Sequence, residues 1–319
     1  MTKERELTVS AGGEQVESSA PAGAVPVTVV PTVVPTTFVP TTVVPTTIIQ
    51  PSRGLAFVDF RALWQYRELL YFLVWRDIKV RYKQTVLGVT WVILQPLASM
   101  ALFTVLFGVL LNAPSGDVPY PIFAYAGLLP WNYFSAALTR SSQSVVQSAN
   151  LVTKIYFPRL VIPLSAVLSS LVDFIVSSAV FAVLMAVYRV PLTPRVLVLP
   201  ALVLLAAITA LGFGLWLSAL NVRYRDVTYL VPFAVQIWMY VTPVVYASTL
   251  IPEAYRFLLS LNPMTGVVEG FRWALLGDGA SSTTLSGPLV AVSVAIALIV
   301  FLTGLVFFRT TERTFADIV

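Results

Sequence analysis

Apolar positions along this chain come in long blocks, not in the strict alternation of a half-buried strand. From Val89 to Leu111 it reads VTWVILQPLASMALFTVLFGVLL without one charged side chain. Five further blocks follow, at about residues 120–147, 160–188, 196–220, 227–246 and 287–308. A bilayer core of ~30 Å asks a helix for about 20 mainly apolar residues. The pattern therefore predicts an all-α polytopic membrane protein with six transmembrane helices. The inner end of the second block is blurred by the polar run SSQSVVQSAN. Pro96, Pro130, Pro163, Pro232 and Pro243 sit inside blocks, where a helix bundle tolerates them as kinks.

Two regions have a different period. Between Phe57 and Lys83, Trp64, Tyr71, Trp75, Ile78 and Tyr82 recur at helical spacings, and Gln65, Glu68, Arg76, Lys79 and Lys83 populate another face that Phe72 interrupts. This predicts an amphipathic helix lying in the membrane interface, with ordinary packing on a protein core as the alternative. Between Ser248 and Ser286, IPEAYRFLLSLNP and MTGVVEGFRWALLG are each too short to cross a bilayer. They are expected to form two re-entrant helices at the outer face, polar on one side through Glu253, Arg256, Glu269 and Arg272. A folded extracellular loop fits the same pattern.

Charge adds orientation. With the amino terminus inside, the inner loops collect Arg53, Arg61, Arg67, Arg76, Lys79, Arg81, Lys83, Lys154, Arg159, Arg223, Arg225, Arg309 and Arg313. The outer side holds only Arg189, Arg195, Arg256 and Arg272. The positive-inside rule then puts both termini in the cytoplasm. Residues 1–52 are a Pro/Thr/Val-rich run with Pro26, Pro31, Pro35, Pro40 and Pro45, which forbids a helix and denies a sheet its donors. A disordered cytoplasmic tail is expected there, ahead of a membrane domain over 53–319.

Composition narrows the chemistry. The 319 residues are 57% hydrophobic and 11% charged, against about 25% charged in soluble domains. The net charge of +5 gathers beside the membrane and reads as a response to anionic lipid, not to nucleic acid. There is no cysteine and no histidine, which removes disulfides, the commonest zinc ligand and the commonest general base. No metal site is expected. No G-x-x-x-x-G-K-[ST] loop occurs, so the chain is not expected to cradle ATP itself.

Four groups of residues stand out. Arg76, Lys79 and Lys83, at spacings of three and four, can converge on an anion, with Arg81 in the same run. Asp173 is the only acid well inside a span, to be paired with Arg140, facing water, or bonding a neighbouring helix. Tyr125, Trp131, Tyr133, Trp238 and Tyr240 belong to an interfacial aromatic belt or else line a conduit over which sugar rings slide. Asn150–Pro163 places Ile155, Tyr156 and Phe157 between Lys154 and Arg159, as a plug for a partner's groove or as a membrane anchor.

In order, WRDIKVRYKQTVLGVTWVILQPL, PYPIFAYAGLLPWNYF, NLVTKIYFPRLVIPLSAVLSSLVDF and LNVRYRDV resemble the permease subunit of type-2 ABC exporters. Within these, the likeness is to the branch that exports O-antigen, teichoic acid and other cell-envelope polysaccharides, and it covers about 57–308. The resemblance implies a transport subunit and not an enzyme: a homodimer in the bacterial cytoplasmic (inner) membrane, with separate ATPase subunits that use ATP and Mg. A lipid-linked polysaccharide would pass outward between the permeases. It makes 57–83 a gate helix, brings a lipid pyrophosphate near Arg76, Lys79, Arg81 and Lys83, and makes 150–157, with Lys154, Ile155, Tyr156 and Phe157, a coupling helix. It gives Asn221–Asp226 a second cytoplasmic contact. A permease for a drug or simple lipid shares the architecture. A lipid-linked glycosyl or phosphoryl transferase would need clustered acids or histidines that this chain lacks.

Overall fold

Among the described residues, 60–83, 88–277 and 287–315 of a computed structural model, the chain is helical and contains no strand. The tail expected over 1–52 lies outside these residues, as do 84–87 and 278–286. The helices are α1 (Phe60–Gln65), α2 (Arg67–Lys83), α3 (Gly88–Phe103), α4 (Tyr120–Gln147), α5 (Ala149–Lys154), α6 (Val161–Val187), α7 (Leu199–Arg223), α8 (Val227–Val241), α9 (Glu253–Ser260), α10 (Pro263–Leu276) and α11 (Gly287–Thr311).

Four helical stretches are long and apolar enough to cross a membrane: Thr90–Leu110, Val161–Val187, Pro194–Arg223 and Val290–Thr311. The first joins α3 to a π-helical turn, Thr104–Leu110. The two remaining blocks of the sequence behave differently. α8 has only 15 residues. α4 has 28, about 42 Å at 1.5 Å per residue, but its second half carries Arg140, Ser141, Ser142, Gln143, Ser144 and Gln147.

The position of α4 explains that composition. It is the central post, packed against α3, α6, α7, α8 and α10: it is buried nearly all round from Tyr120 to Leu138, and in its polar half Ser141, Ser142 and Ser144 are buried as well. A helix that meets protein on every side is not required to be as apolar as one that meets lipid. α7 and α11 lie backbone to backbone. A Cβ on Gly304 would stand 2.3 Å from the Gly212 carbonyl oxygen, the close approach that small residues permit between membrane helices.

The core has two parts. The larger gathers around Phe123, Tyr125, Trp131, Phe134, Val244 and Phe271. The smaller, at the end of the bundle that carries α2 and α5, joins Leu73, Val145, Val152, Phe157, Leu160, Phe308 and Phe315. Phe315 is held there by an edge-on contact with Phe308, 5.3 Å between ring centres, and by the Arg159 guanidinium 5.9 Å over its face.

Two expectations about the short helices change. The single helix expected over 57–83 is broken at Tyr66; Trp64, Tyr71 and Trp75 of its aromatic stripe are exposed while Leu73 is buried, so these rings do not pack on the core as the alternative reading had it. The second of the two short helices expected near 248–286 is not polar-faced. α10 is buried along almost its whole length, Glu269 and Arg272 included; only α9 keeps exposed side chains, among them Tyr255, Phe257 and Leu258. Length alone said that these helices could not span. It could not say that other helices would surround one of them.

Candidate functional site

The last turn of α2 meets the middle of α4 and α6 at Asp173. Arg81 Nη1 lies 2.6 Å from Asp173 Oδ2, and Arg140 Nη1 lies 2.9 Å from the same oxygen. The Tyr82 hydroxyl donates to Oδ1, and Arg140 also donates to Ser170 Oγ at 3.0 Å, one turn before Asp173. Three helices thus converge on one carboxylate. Burial first, then the neighbouring carboxylate, pushes the Tyr82 phenol up to about 12, so it stays protonated and remains a donor.

This cluster divides two cavities. One, of about 410 Å³, is lined by Arg76, Asp77, Arg81 and Arg140 and by serines of α4 and α6. The other, of about 740 Å³, lies between α3, α4 and α6; its wall includes Trp91, Pro96, Leu129, Tyr133, Phe174 and Asp173. Arg81 and Arg140 belong to both walls. Both volumes fall in the range of small-molecule sites, ~300–1,000 Å³.

The cations singled out in the sequence separate here. Arg76 reaches the smaller cavity and pairs with its neighbour Asp77 at 2.8 Å. Lys79 and Lys83 are exposed and border neither cavity. The set that the fold assembles is therefore Arg76, Arg81 and Arg140, not Arg76, Lys79 and Lys83. The wall serines, Ser144 on α4 with Ser165 and Ser169 on α6, were not singled out in the sequence. The polar interruption SSQSVVQS and the spacing of four between Ser165 and Ser169 were the available signals.

The segment after α4 also splits. Ile155 and Tyr156 project outward, Tyr156 at 70% exposure, whereas Phe157 is only 5% exposed and sits in the smaller core. Phe157 therefore departs from the expected plug: Pro158 and Leu160 turn the chain back, and the ring goes with it. Lys154 is exposed at the end of α5. In Asn221–Asp226 the first residue is structural. Asn221 Nδ2 donates to the Ser142 carbonyl at 3.0 Å and its Oδ1 accepts from Thr228 Oγ1 at 3.0 Å, while Arg223 to Asp226 are exposed.

The aromatic candidates are mostly interior. Tyr125 stacks on Phe181 at 5.7 Å and donates to the Ser177 carbonyl at 3.2 Å. Trp131 and Phe134 pack against Trp238, with ring centres 6.4 and 5.1 Å away. Trp238 Nε1 in turn donates to Asn262 Oδ1 at 3.2 Å. Within this chain Tyr125 and Trp131 are core, so they do not wall a conduit; Tyr133 borders the larger cavity and Tyr240 is exposed.

A second arginine site closes the opposite region. Arg272 on α10 donates to the carbonyls of Pro243 at 2.8 Å, Val244 at 2.5 Å and Tyr246 at 3.3 Å, and pairs with Glu269 at 3.3 Å. Its guanidinium lies 3.8 Å over the Phe123 ring. A Cβ on Gly127 would stand 2.2 Å from the Val244 oxygen and 2.8 Å from Arg272 Nη2, so α4 must be bare at that point.

Residues 68–276 match the family model described as ABC-2 type transporter. The chain belongs to the ABC-2 transporter family. An O-antigen export system permease protein, RfbA, from Myxococcus xanthus is 35% identical over 216 residues, covering 66% of this chain and 82% of the relative. RfbA of Klebsiella pneumoniae is 29% identical over 253 residues, 79% of this chain and 95% of the relative. The polysialic acid transport protein KpsM of Escherichia coli is 26% identical over 247 residues, 75% and 91% of the two chains. The ABC-2 match runs from the first turn of α2 to the end of α10. It takes in both arginine sites and leaves α11 outside.

Proposed function

We propose that this ABC-2 chain is the membrane-spanning permease subunit of an ATP-driven exporter that moves a lipid-linked cell-envelope polysaccharide outward across the bacterial inner membrane. The observation that carries the reading is the likeness to O-antigen export permeases over 82% and 95% of their lengths. In this reading α4 and α8 complete six spans, α9 and α10 form a re-entrant pair at the outer face, and both termini are cytoplasmic. The burial of Ser141, Ser142 and Ser144 makes the polar half of α4 compatible with this role, since those hydroxyls face neighbouring helices and not lipid. Two copies work with two separate ATPase subunits, which bind ATP and Mg.

The exposed pair Ile155 and Tyr156, beside Lys154, is the contact offered to that ATPase. A few anchors, tyrosine prominent among them, carry most of the energy of such interfaces. Ile155→Ala/Tyr156→Ala is expected to reduce co-purification of the ATPase and glycan export at least about tenfold, with membrane insertion unchanged. Phe157→Ala acts on the fold instead. The deciding experiment is complementation: a strain deleted for this chain regains surface glycan only when the chain and its ATPase are both supplied. Purified chain that hydrolyses ATP alone, or surface glycan that persists in the deletion strain, would sink the reading.

A further inference from the structure

Ile155 and Tyr156 stand on the connection between α5 and α6, residues 155–160. Exposed anchors on a free connection have to be ordered by the partner, and that cost is subtracted from the affinity. This connection is not free. Its far end is tied by Arg159 to the short helical turn that follows α11, Glu312–Thr314. Arg159 Nη1 donates to the Glu312 carbonyl, and the guanidinium lies 5.9 Å over the Phe315 ring. The Phe315 N–H donates to the same carbonyl, so carbonyl and ring form one seat. That seat is itself fixed: Arg309 holds Glu312 at 3.0 Å, and Phe315 is fully buried, edge-on against Phe308.

A loop arginine that answers only to anionic lipid needs no protein partner. Arg159 gives a donor to a carbonyl and places its cation over a ring, two uses that a planar guanidinium combines. The carbonyl lies just past the end of α11, where the helix dipole also favours a cation. Phe157, two residues before Arg159, enters the same small core as Phe308 and Phe315, and Pro158 between them restricts the backbone. We propose that Arg159 is a positioning residue for the ATPase contact. Seated on Glu312 and Phe315, it holds the connection so that Ile155 and Tyr156 are presented already ordered. The partner-facing loop thus takes its shape from the end of the last helix, which lies outside residues 68–276 that match the family model. This rests on the reading that Ile155 and Tyr156 meet the ATPase.

The test has two arms, both on the full chain in detergent without anionic lipid. The chain has no cysteine of its own, so Tyr156→Cys carries a single spin label whose mobility reads the connection without any partner. In the unlabelled chain, affinity is measured for the ATPase subunit that completes the exporter in the complementation experiment. Arg159→Ala and Phe315→Ala are each expected to free the label and to weaken ATPase binding about tenfold, the scale of ordering one or two side chains at binding. Phe315→Ala leaves every loop cation in place, so its effect belongs to the seat and not to charge. Should that variant fail to fold, Arg159→Ala decides alone, since it removes only a half-buried side chain from a loop. A label that stays as constrained as in the otherwise wild-type chain overturns the clasp. A freed label with unchanged ATPase affinity overturns the positioning role, because an arginine that only braced the fold would leave that affinity alone. The contact reading is tested apart, by Ile155→Ala/Tyr156→Ala in a chain whose Arg159 is intact.

Discussion

Arg272 and Arg140 both sit where a charge is expensive to hold, and the fold surrounds them in opposite ways. Arg272 is 0% exposed and finds its acid on its own helix, three residues away. Its two Nη atoms donate to carbonyls of the turn that follows α8, its buried Nε has no hydrogen-bond partner, and an aromatic face covers it. Arg140 is 34% exposed and shares its acid, on a different helix, with an arginine from a third. The first site is closed on every side and supplied by backbone acceptors that cannot leave. The second is reachable from two cavities and held by side chains that can change partner. A buried charge with fixed acceptors braces; one shared between side chains of separate helices can be released only if those helices move apart.

The largest expected effect lies at the closed site. Arg272→Ala leaves Glu269 in the interior without its guanidinium and strips donors from three carbonyls. Removing one member of a buried pair costs about 3–5 kcal/mol, so a large fall in the unfolding midpoint of the detergent-solubilised chain is expected. Arg140→Gln should lower that midpoint much less, since water reaches the cluster. Equal losses in the two variants would erase the distinction between a brace and a shared charge.

Next comes Gly127→Ala. The added methyl meets the Val244 oxygen at 2.2 Å and the Arg272 guanidinium at 2.8 Å, and neither can yield without disturbing the carbonyl cage. Overpacking of this kind costs about 1–3 kcal/mol. If the cage is what matters, Gly127→Ala adds little to Arg272→Ala, and a double-mutant cycle by thermal unfolding measures the coupling. Fully additive losses would mean that the glycine serves helix packing alone.

Much of the architecture was readable because lipid imposes a simple demand. The block expected over 120–147 is a helix over Tyr120–Gln147, and that over 160–188 one over Val161–Val187. Asp173 was noticeable for the same reason: an acid within a long apolar run must find a partner, and Arg140 was a candidate. What could not be read was which surfaces other helices would cover. Glu269 and Arg272 show their spacing of three in the sequence, but their burial depends on carbonyls of residues 243–246. Phe157, flanked by Lys154 and Arg159, reads as part of a surface motif until the chain turns inward at Pro158. Trp131 and Trp238 lie more than a hundred positions apart, and only the fold makes them neighbours.

The smallest effect belongs to the open site and separates its hydrogen bonds from its charges. Tyr82→Phe removes only the hydroxyl that donates to Asp173. Both arginines still hold the carboxylate, so the loss should be that of one partly solvated hydrogen bond to a charged acceptor, about 1.5 kcal/mol at neutral pH. Its pH dependence gives it away. The phenol is pushed up to about 12 in the folded chain, against about 10 when unfolded. Below pH ~10 both states hold the proton and the contact contributes in full. As pH rises from ~10 towards ~12 the unfolded state loses its proton first, so the folded state binds more protons and stability falls. The gap between wild type and Tyr82→Phe in thermal unfolding should therefore narrow across that window. A gap that stays constant from pH 8 to pH 12 would show that Tyr82 supports the cluster by packing, and that the two arginines hold Asp173 without a third donor.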